Sequence, residues 1–259
     1  MRETQSSGLP ARSSKDNQHN PIMTAPWHAA TASVPVERRF DLICFDWDGT
    51  LFDSTAVIAR CIQQAVADVG GTPPTREQAA YVIGMALAPA LAKAAPDVPP
   101  ERYRELSARY RAHYAVHQND LSLFPGVLPM LQDLRARGCR LAVATGKSRR
   151  GLNDVLRSHP LQGLRLQDLF DGSRTADETA GKPDPLMLRE LMDQFSAPPG
   201  RTLMIGDTTH DLQMAQNAGC ASIGVSYGAQ GDSDEFTAFA PLQVVHSVAA
   251  LHLWLIEHA

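Results

Sequence analysis

Between Phe124 and Val225 short apolar runs alternate with amphipathic stretches, and that rhythm leaves few folds open. Val127 to Arg137 reads as a helix stopped by Gly138, and Arg140 to Ala144 as a strand ending at Thr145-Gly146. A helix over 148–159 and the start of a short strand at Phe170-Asp171 follow. A helix over 185–195, a strand over 202–205, a helix over 211–218 and a strand over 221–225 complete the series. Strands and helices in alternation imply a parallel sheet with helices on both faces.

One more strand lies upstream. Arg39 to Phe45 is an apolar run rich in strand formers that ends at a turn beginning with Asp46. From Ser54 to Leu123 the pattern is helical, broken at Gly70-Gly71 and Pro73-Pro74. A second stretch over 79–95 is expected to be interrupted near Gly84 and Pro89, and a third, over 101–117, carries Tyr103, Tyr110 and Tyr114. An all-helical block between the first strand and the rest reads as an inserted cap. Residues 1–36, rich in Ser, Thr, Pro, Asn and Gln without hydrophobic period, are expected to be a disordered tail.

The net charge of -4 gives no basic footprint for nucleic acid. No run approaches the roughly 18 apolar residues of a membrane helix, and no apolar h-region opens the chain. Cys44, Cys61, Cys139 and Cys220 are scattered without metal-type spacing and read as small buried hydrophobes, which fits a reducing cytoplasm. Neither nucleic acid nor membrane is an expected partner, and the expected state is a monomer or homodimer.

In open α/β sheets ligands bind beyond the carboxyl ends of the strands. Here those ends carry Asp46 and Asp48, then Thr145-Gly146, then Gly206-Asp207-Thr208-Thr209-His210-Asp211, with Gly181-Lys182-Pro183-Asp184 ahead of a helix. Acids, a hydroxyl and a lysine on one sheet edge have the composition of a phosphate and metal site. Asp46, Asp207 and a backbone carbonyl near Asp48 would offer hard oxygens to Mg²⁺. Asp46 is placed to attack phosphorus, which divides one hard displacement into two easier ones. Asp48, two residues on, can reach the leaving oxygen as acid and later as base. Lys182 would balance charge, and Thr145 with the Gly146 amide would donate to phosphoryl oxygens. Gly49 permits a tight turn after the acids, and the helix beginning near Ser148 aims its amides into the same space.

These motifs, with Leu51-Phe52-Asp53-Ser54 and Phe124-Pro125-Gly126-Val127 as flanks, resemble the haloacid dehalogenase superfamily, in particular its phosphoglycolate-phosphatase-like branch. The resemblance spans residues 40–250. It implies a Rossmann-like α/β core over 37–53 and 124–259 with an all-helical cap of the C1 type over 54–123. It implies Asp46 as nucleophile, Asp48 as acid and base, Thr145 and Lys182 as phosphate ligands and Asp207 as a metal ligand. Asp211, facing Lys182, is a metal or supporting acid, with Thr208 and Lys147 also in supporting places. The implied activity is Mg²⁺-dependent hydrolysis of a small phosphomonoester such as 2-phosphoglycolate. A phosphomutase on the same scaffold is the main alternative, and a receiver-like phospho-acceptor a more distant one that Asp48 argues against.

Other residues read more plainly. Asp211 is also suited to cap its helix. Lys147 is open between touching substrate anions and belonging to a solvated face, to which Arg149 and Arg150 are assigned. His210 is expected to be a bystander and the tyrosines to be packing, while Gly84 marks a loop expected to close over the site.

Overall fold

The computed structural model describes residues 39–118, 121–158, 160–161, 164–229 and 234–259. The expected tail over 1–36 lies outside the described residues. The first strand, β1 (Leu42–Phe45), is buried along its whole length, which is possible only for a strand paired on both edges and covered on both faces. It pairs in parallel with β2 (Arg140–Thr145) in the register Leu42↔Arg140 and with β6 (Thr202–Gly206) in the register Leu42↔Thr202. With β5 (Gly172–Thr175), β7 (Ala221–Val225) and β8 (Gln243–Val245) these strands form one parallel sheet in the order β5-β2-β1-β6-β7-β8. Two short antiparallel segments, β3 (Pro160–Leu161) and β4 (Leu164–Arg165), form a separate two-stranded pair.

Side chains alternate across the sheet with the two-residue period of a strand. Ile43, Phe45, Leu141, Val143, Leu203 and Ile205 enter one core, against α5 (Val127–Ala136), α6 (Arg149–Ser158) and α9 (Val248–His258). Leu42, Cys44, Ala142, Ala144 and Met204 enter the other, against α7 (Leu186–Phe195) and α8 (Thr209–Ala218). The expected doubly covered α/β sheet is therefore what forms.

Between β1 and β2 the chain makes α1 (Thr55–Asp68), α2 (Arg76–Tyr81), α3 (Leu87–Ala94) and α4 (Tyr103–His117). They share a third apolar cluster, including Ile58, Ile62, Val82, Leu91 and Leu106. The chain leaves and re-enters the core through two adjacent segments. Asp53 donates its amide to Ser122 O at 2.9 Å and Phe124 to Leu51 O at 3.0 Å.

Two expectations change. Pro89 does not interrupt a helix; it occupies the first turn of α3, where an amide has no intrahelical acceptor and proline is tolerated. The helix expected from Asp211 begins at Thr209, because Thr208 and Asp211 form a reciprocal capping pair. Gly84, at φ +89°, does end the α2 turn. Among the described residues no helix is long and apolar enough to cross a membrane.

Candidate active site

The turn after β1 is built around Trp47, which is fully buried and packs on Phe52 and Phe170 at ring separations of 5.6 and 6.1 Å. Its carbonyl accepts from the amides of Leu51 and Phe52 at 3.0 and 2.9 Å. The Asp46 and Asp48 side chains are thus held on a closed loop at the strand end. Gly49 makes the loop possible twice over. Its φ is +86°, and a Cβ there would lie 2.1 Å from Asp207 Oδ2.

Three buried carboxylates, Asp46, Asp207 and Asp211, bring one oxygen each within 4.8 Å of one another. Lys182 stands among them, 2.5 Å from Asp46 Oδ1 and 2.6 Å from Asp211 Oδ1. Asp211 also accepts from Thr208 Oγ1 at 2.7 Å and from the Thr208 amide at 3.1 Å, so it caps α8 and faces Lys182 at once. Asp207 accepts from Thr50 Oγ1 at 2.9 Å and, on its other oxygen, from the Ala229 amide at 2.6 Å. Asp46 Oδ2 is buried with no hydrogen-bond partner among the described residues.

Burial pushes the Asp46 carboxyl up to about 7, opposed by Lys182 and reinforced by Asp211. Burial likewise holds Asp207 well above the usual carboxylate range, with Asp46 and Asp211 adding to it. For Lys182 burial acts downward, but Asp211 and Asp46 more than reverse it and keep the ammonium charged. Three acids against one lysine leave the cluster short of positive charge. With the unpartnered Asp46 oxygen, that all-oxygen donor set fits a hard divalent cation.

Asp48 stands apart from this cluster. Its Oδ1 accepts from Ser54 Oγ at 2.6 Å, and its Oδ2 lies 3.0 Å from Lys147 Nζ. Lys147 also donates to Tyr114 Oη at 3.1 Å. Thr145, 1% exposed, accepts the Lys147 amide at 3.2 Å. Asp46, Asp48, Thr145, Gly146 and Lys147 all line a cavity of about 840 Å³, whose lining also includes Ile83–Leu87 from the helical segment and Tyr110 and Tyr114.

The expectation that the tyrosines only pack holds for Tyr103 alone, since Tyr110 and Tyr114 also face this cavity. Arg149 turns away to Glu178 and Ser173, and Arg150, 92% exposed, reaches Asp154 at 3.8 Å on the rim. His210 donates to the Tyr81 carbonyl at 3.2 Å and takes no part in the acid cluster. The loop marked by Gly84 does close on the core. A Cβ on Gly146 would meet the carbonyl oxygens of Gly84 and Met85 at 2.4 and 2.6 Å. Thr50 and Ser54 stood in the sequence motif and its flank without a role, and the Gly228-Ala229 turn was missed. A Cβ at Gly228 would stand 2.3 Å from Asp207 Oδ2.

A parallel α/β sheet whose strand ends carry a buried acid cluster and a lysine, beneath a helical segment inserted after the first strand, defines a class of hydrolases. The chain belongs to the haloacid dehalogenase-like hydrolase family, whose model matches residues 43–225. It is 34% identical over 195 residues to a phosphoglycolate phosphatase of Aliivibrio fischeri, covering 72% of this chain and 84% of that protein. It is 34% identical over 223 residues to the probable phosphatase IndB of Dickeya dadantii, covering 83% and 94%. A haloacid dehalogenase-like hydrolase from Bacteroides fragilis superposes with a TM-score of 0.73 at 28% identity, over 82% of this chain and 99% of its own.

Proposed function

We propose that the protein is a Mg²⁺-dependent phosphatase that hydrolyses a small, phosphoglycolate-like phosphomonoester through an aspartyl-phosphate on Asp46. The observation that carries this reading is Asp46 itself. It is buried at a strand end and lines the cavity, with one oxygen tied to Lys182 and the other without a hydrogen-bond partner among the described residues. The names of the phosphatase relatives support the phosphoester as substrate.

Asp46 Oδ2 attacks phosphorus; the O–P bond to the leaving alcohol breaks as Asp48 delivers a proton to that oxygen. Asp48, now ionised, takes a proton from water, and the resulting hydroxide attacks the same phosphorus. Phosphate leaves and the Asp46 carboxylate is restored. Lys182 balances the charge of Asp46 and the phosphoryl group, while Thr145 Oγ1 and the Gly146 amide donate to the equatorial oxygens. Asp46, Asp207 and the Asp48 carbonyl would hold the Mg²⁺, with Asp211 and Thr208 behind them; bound there, the ion screens carboxylate from phosphate. In this reading residues 37–53 and 124–259 are the catalytic core and 54–123 the cap. The cytoplasm is the proposed location, and the four free cysteines fit it.

The test is phosphate release from a panel of phosphomonoesters with Mg²⁺, with EDTA, and with Asp46→Asn. Acid-quenched wild-type protein should retain labelled phosphate and Asp46→Asn should not. Full turnover by Asp46→Asn would refute the assignment, and dependence on a bisphosphate would favour the mutase.

A further inference from the structure

Lys147 belongs to the core loop after β2, yet its ammonium is held by both the core and the helical segment. It lies 3.0 Å from Asp48 Oδ2 and 3.1 Å from Tyr114 Oη, and 4.8 Å from the centre of the Tyr114 ring. Tyr114, on α4, is braced in turn by Tyr110, whose ring stacks on it at 6.0 Å with an angle of 22°. The Lys147 and Asp48 side chains are each only 11% exposed. That excludes a freely solvated lysine, and the direction of the ammonium separates it from Lys182, which serves Asp46 and Asp211.

A lysine stem has four rotatable bonds and offers a point charge without a fixed fork, so its ammonium sits where its partners put it. Here one partner is the hydroxyl and ring face of a cap tyrosine, and the other is a carboxylate whose remaining oxygen is already fixed by Ser54. Charge-assisted bonds at this range set orientation as well as contact. With α4 displaced, Lys147 would lose Tyr114, and only Asp48 would still direct its ammonium.

We propose that Lys147 is a positioning residue for Asp48 and that Tyr114 sets its place, so that the cap aims the proton-transferring carboxylate when α4 lies against the core. The proposal rests on the reading of Asp48 as acid and base. It goes beyond that reading by assigning Tyr114, a residue of the cap, to the same step through Lys147.

The experiment compares Tyr114→Phe, Lys147→Met and the double variant of the full chain with Mg²⁺ on two esters. One is an alkyl phosphate, whose leaving oxygen needs a proton; the other is 4-nitrophenyl phosphate, whose leaving group does not. General-acid assistance is typically worth about 10²–10⁴-fold. Loss of positioning is therefore expected to lower the alkyl-to-aryl ratio of kcat about tenfold in Tyr114→Phe and about a hundredfold in Lys147→Met, with KM little moved. The double variant should match Lys147→Met, since the tyrosine acts through the lysine. Equal losses on both esters, or losses that multiply in the double variant, would overturn the proposal.

A second readout needs no turnover and so separates this idea from the phosphatase reading. Amide hydrogen exchange over α4 in the ligand-free protein should quicken by the same factor in all three variants. Unchanged exchange would also overturn the tie. Absence of any esterase activity in the wild type, with the exchange result intact, would instead sink the phosphatase reading.

Discussion

Replacing Lys182 by methionine keeps most of the apolar stem and deletes the cation that stands 2.5 Å from Asp46 and 2.6 Å from Asp211. All three groups are essentially sealed from solvent. The attraction to each carboxylate is large in gross terms, about 6 kcal/mol at an effective dielectric of 20, but most of it offsets the cost of burying the charges. What matters is what remains after deletion: two buried carboxylates with no counter-charge. Removing one partner of such a pair typically costs about 3–5 kcal/mol. For a chain of this size that corresponds to a melting temperature lower by about 6–20 °C. The measurement is thermal unfolding of the metal-free variant in EDTA near pH 8. The penalty should shrink as pH falls. Burial has already raised Asp46 to about 7, so in the window below that value and above the unfolded carboxylate range the folded state takes up protons that the unfolded state does not. Protonation then removes the unpaired charge, and the variant gains stability on acidification. A melting temperature within about 2 °C of wild type at pH 8 would refute the reasoning, since it corresponds to about 1 kcal/mol or less. A penalty that grows toward pH 5 would refute it as well.

The same sign governs the wild type. Asp46 and Asp207 have raised folded-state values, so metal-free stability should fall as pH rises through 7, and Mg²⁺ should raise the melting temperature more at pH 8 than at pH 5.5. An equal Mg²⁺ effect at both pH values would contradict this. Gly49→Ala places a methyl 2.1 Å from Asp207 Oδ2 at a φ of +86°. The backbone alone should cost about 1–2 kcal/mol, and calorimetric titration should show weaker Mg²⁺ binding. Gly146→Ala drives a methyl into the Gly84 and Met85 carbonyls. The helical segment should be propped off the core, which small-angle scattering or a fluorophore pair across the cavity would register, with a rise in KM.

The sheet and the acids were legible because each leaves a local mark. An apolar run that stops at an aspartate, as at Asp46 and Asp207, reads as a strand end, and in a parallel sheet such ends share one edge whatever the details of packing. Asp211 was legible as two alternatives, cap or site acid, and its two oxygens serve both at once. What the sequence does not display is contact across the fold. The Ala229 amide on Asp207 and the Tyr114 hydroxyl on Lys147 are made by residues far apart in the chain, with no spacing rule to announce them. The helix α9 escaped notice for another reason: Val248-Ala249-Ala250-Leu251-His252-Leu253-Trp254-Leu255-Ile256 is apolar nearly all round, so no face stands out.

The central position of β1 has a consequence for biosynthesis. Its flanking strands begin at Arg140 and Thr202, so the first strand to leave the ribosome is among the last to be fully paired. Thr50 and its acceptor Asp207 are 157 residues apart, which is roughly 8–30 s of translation. During that wait the run Leu42–Phe45 is an unpaired apolar edge of the kind that recruits other chains. The helices of the insert, which pack on near neighbours, can form first beside it. A nascent chain halted before Arg140 therefore carries the helices of the insert and a first strand with neither neighbour, and such fragments should be the ones that chaperones hold or proteases remove.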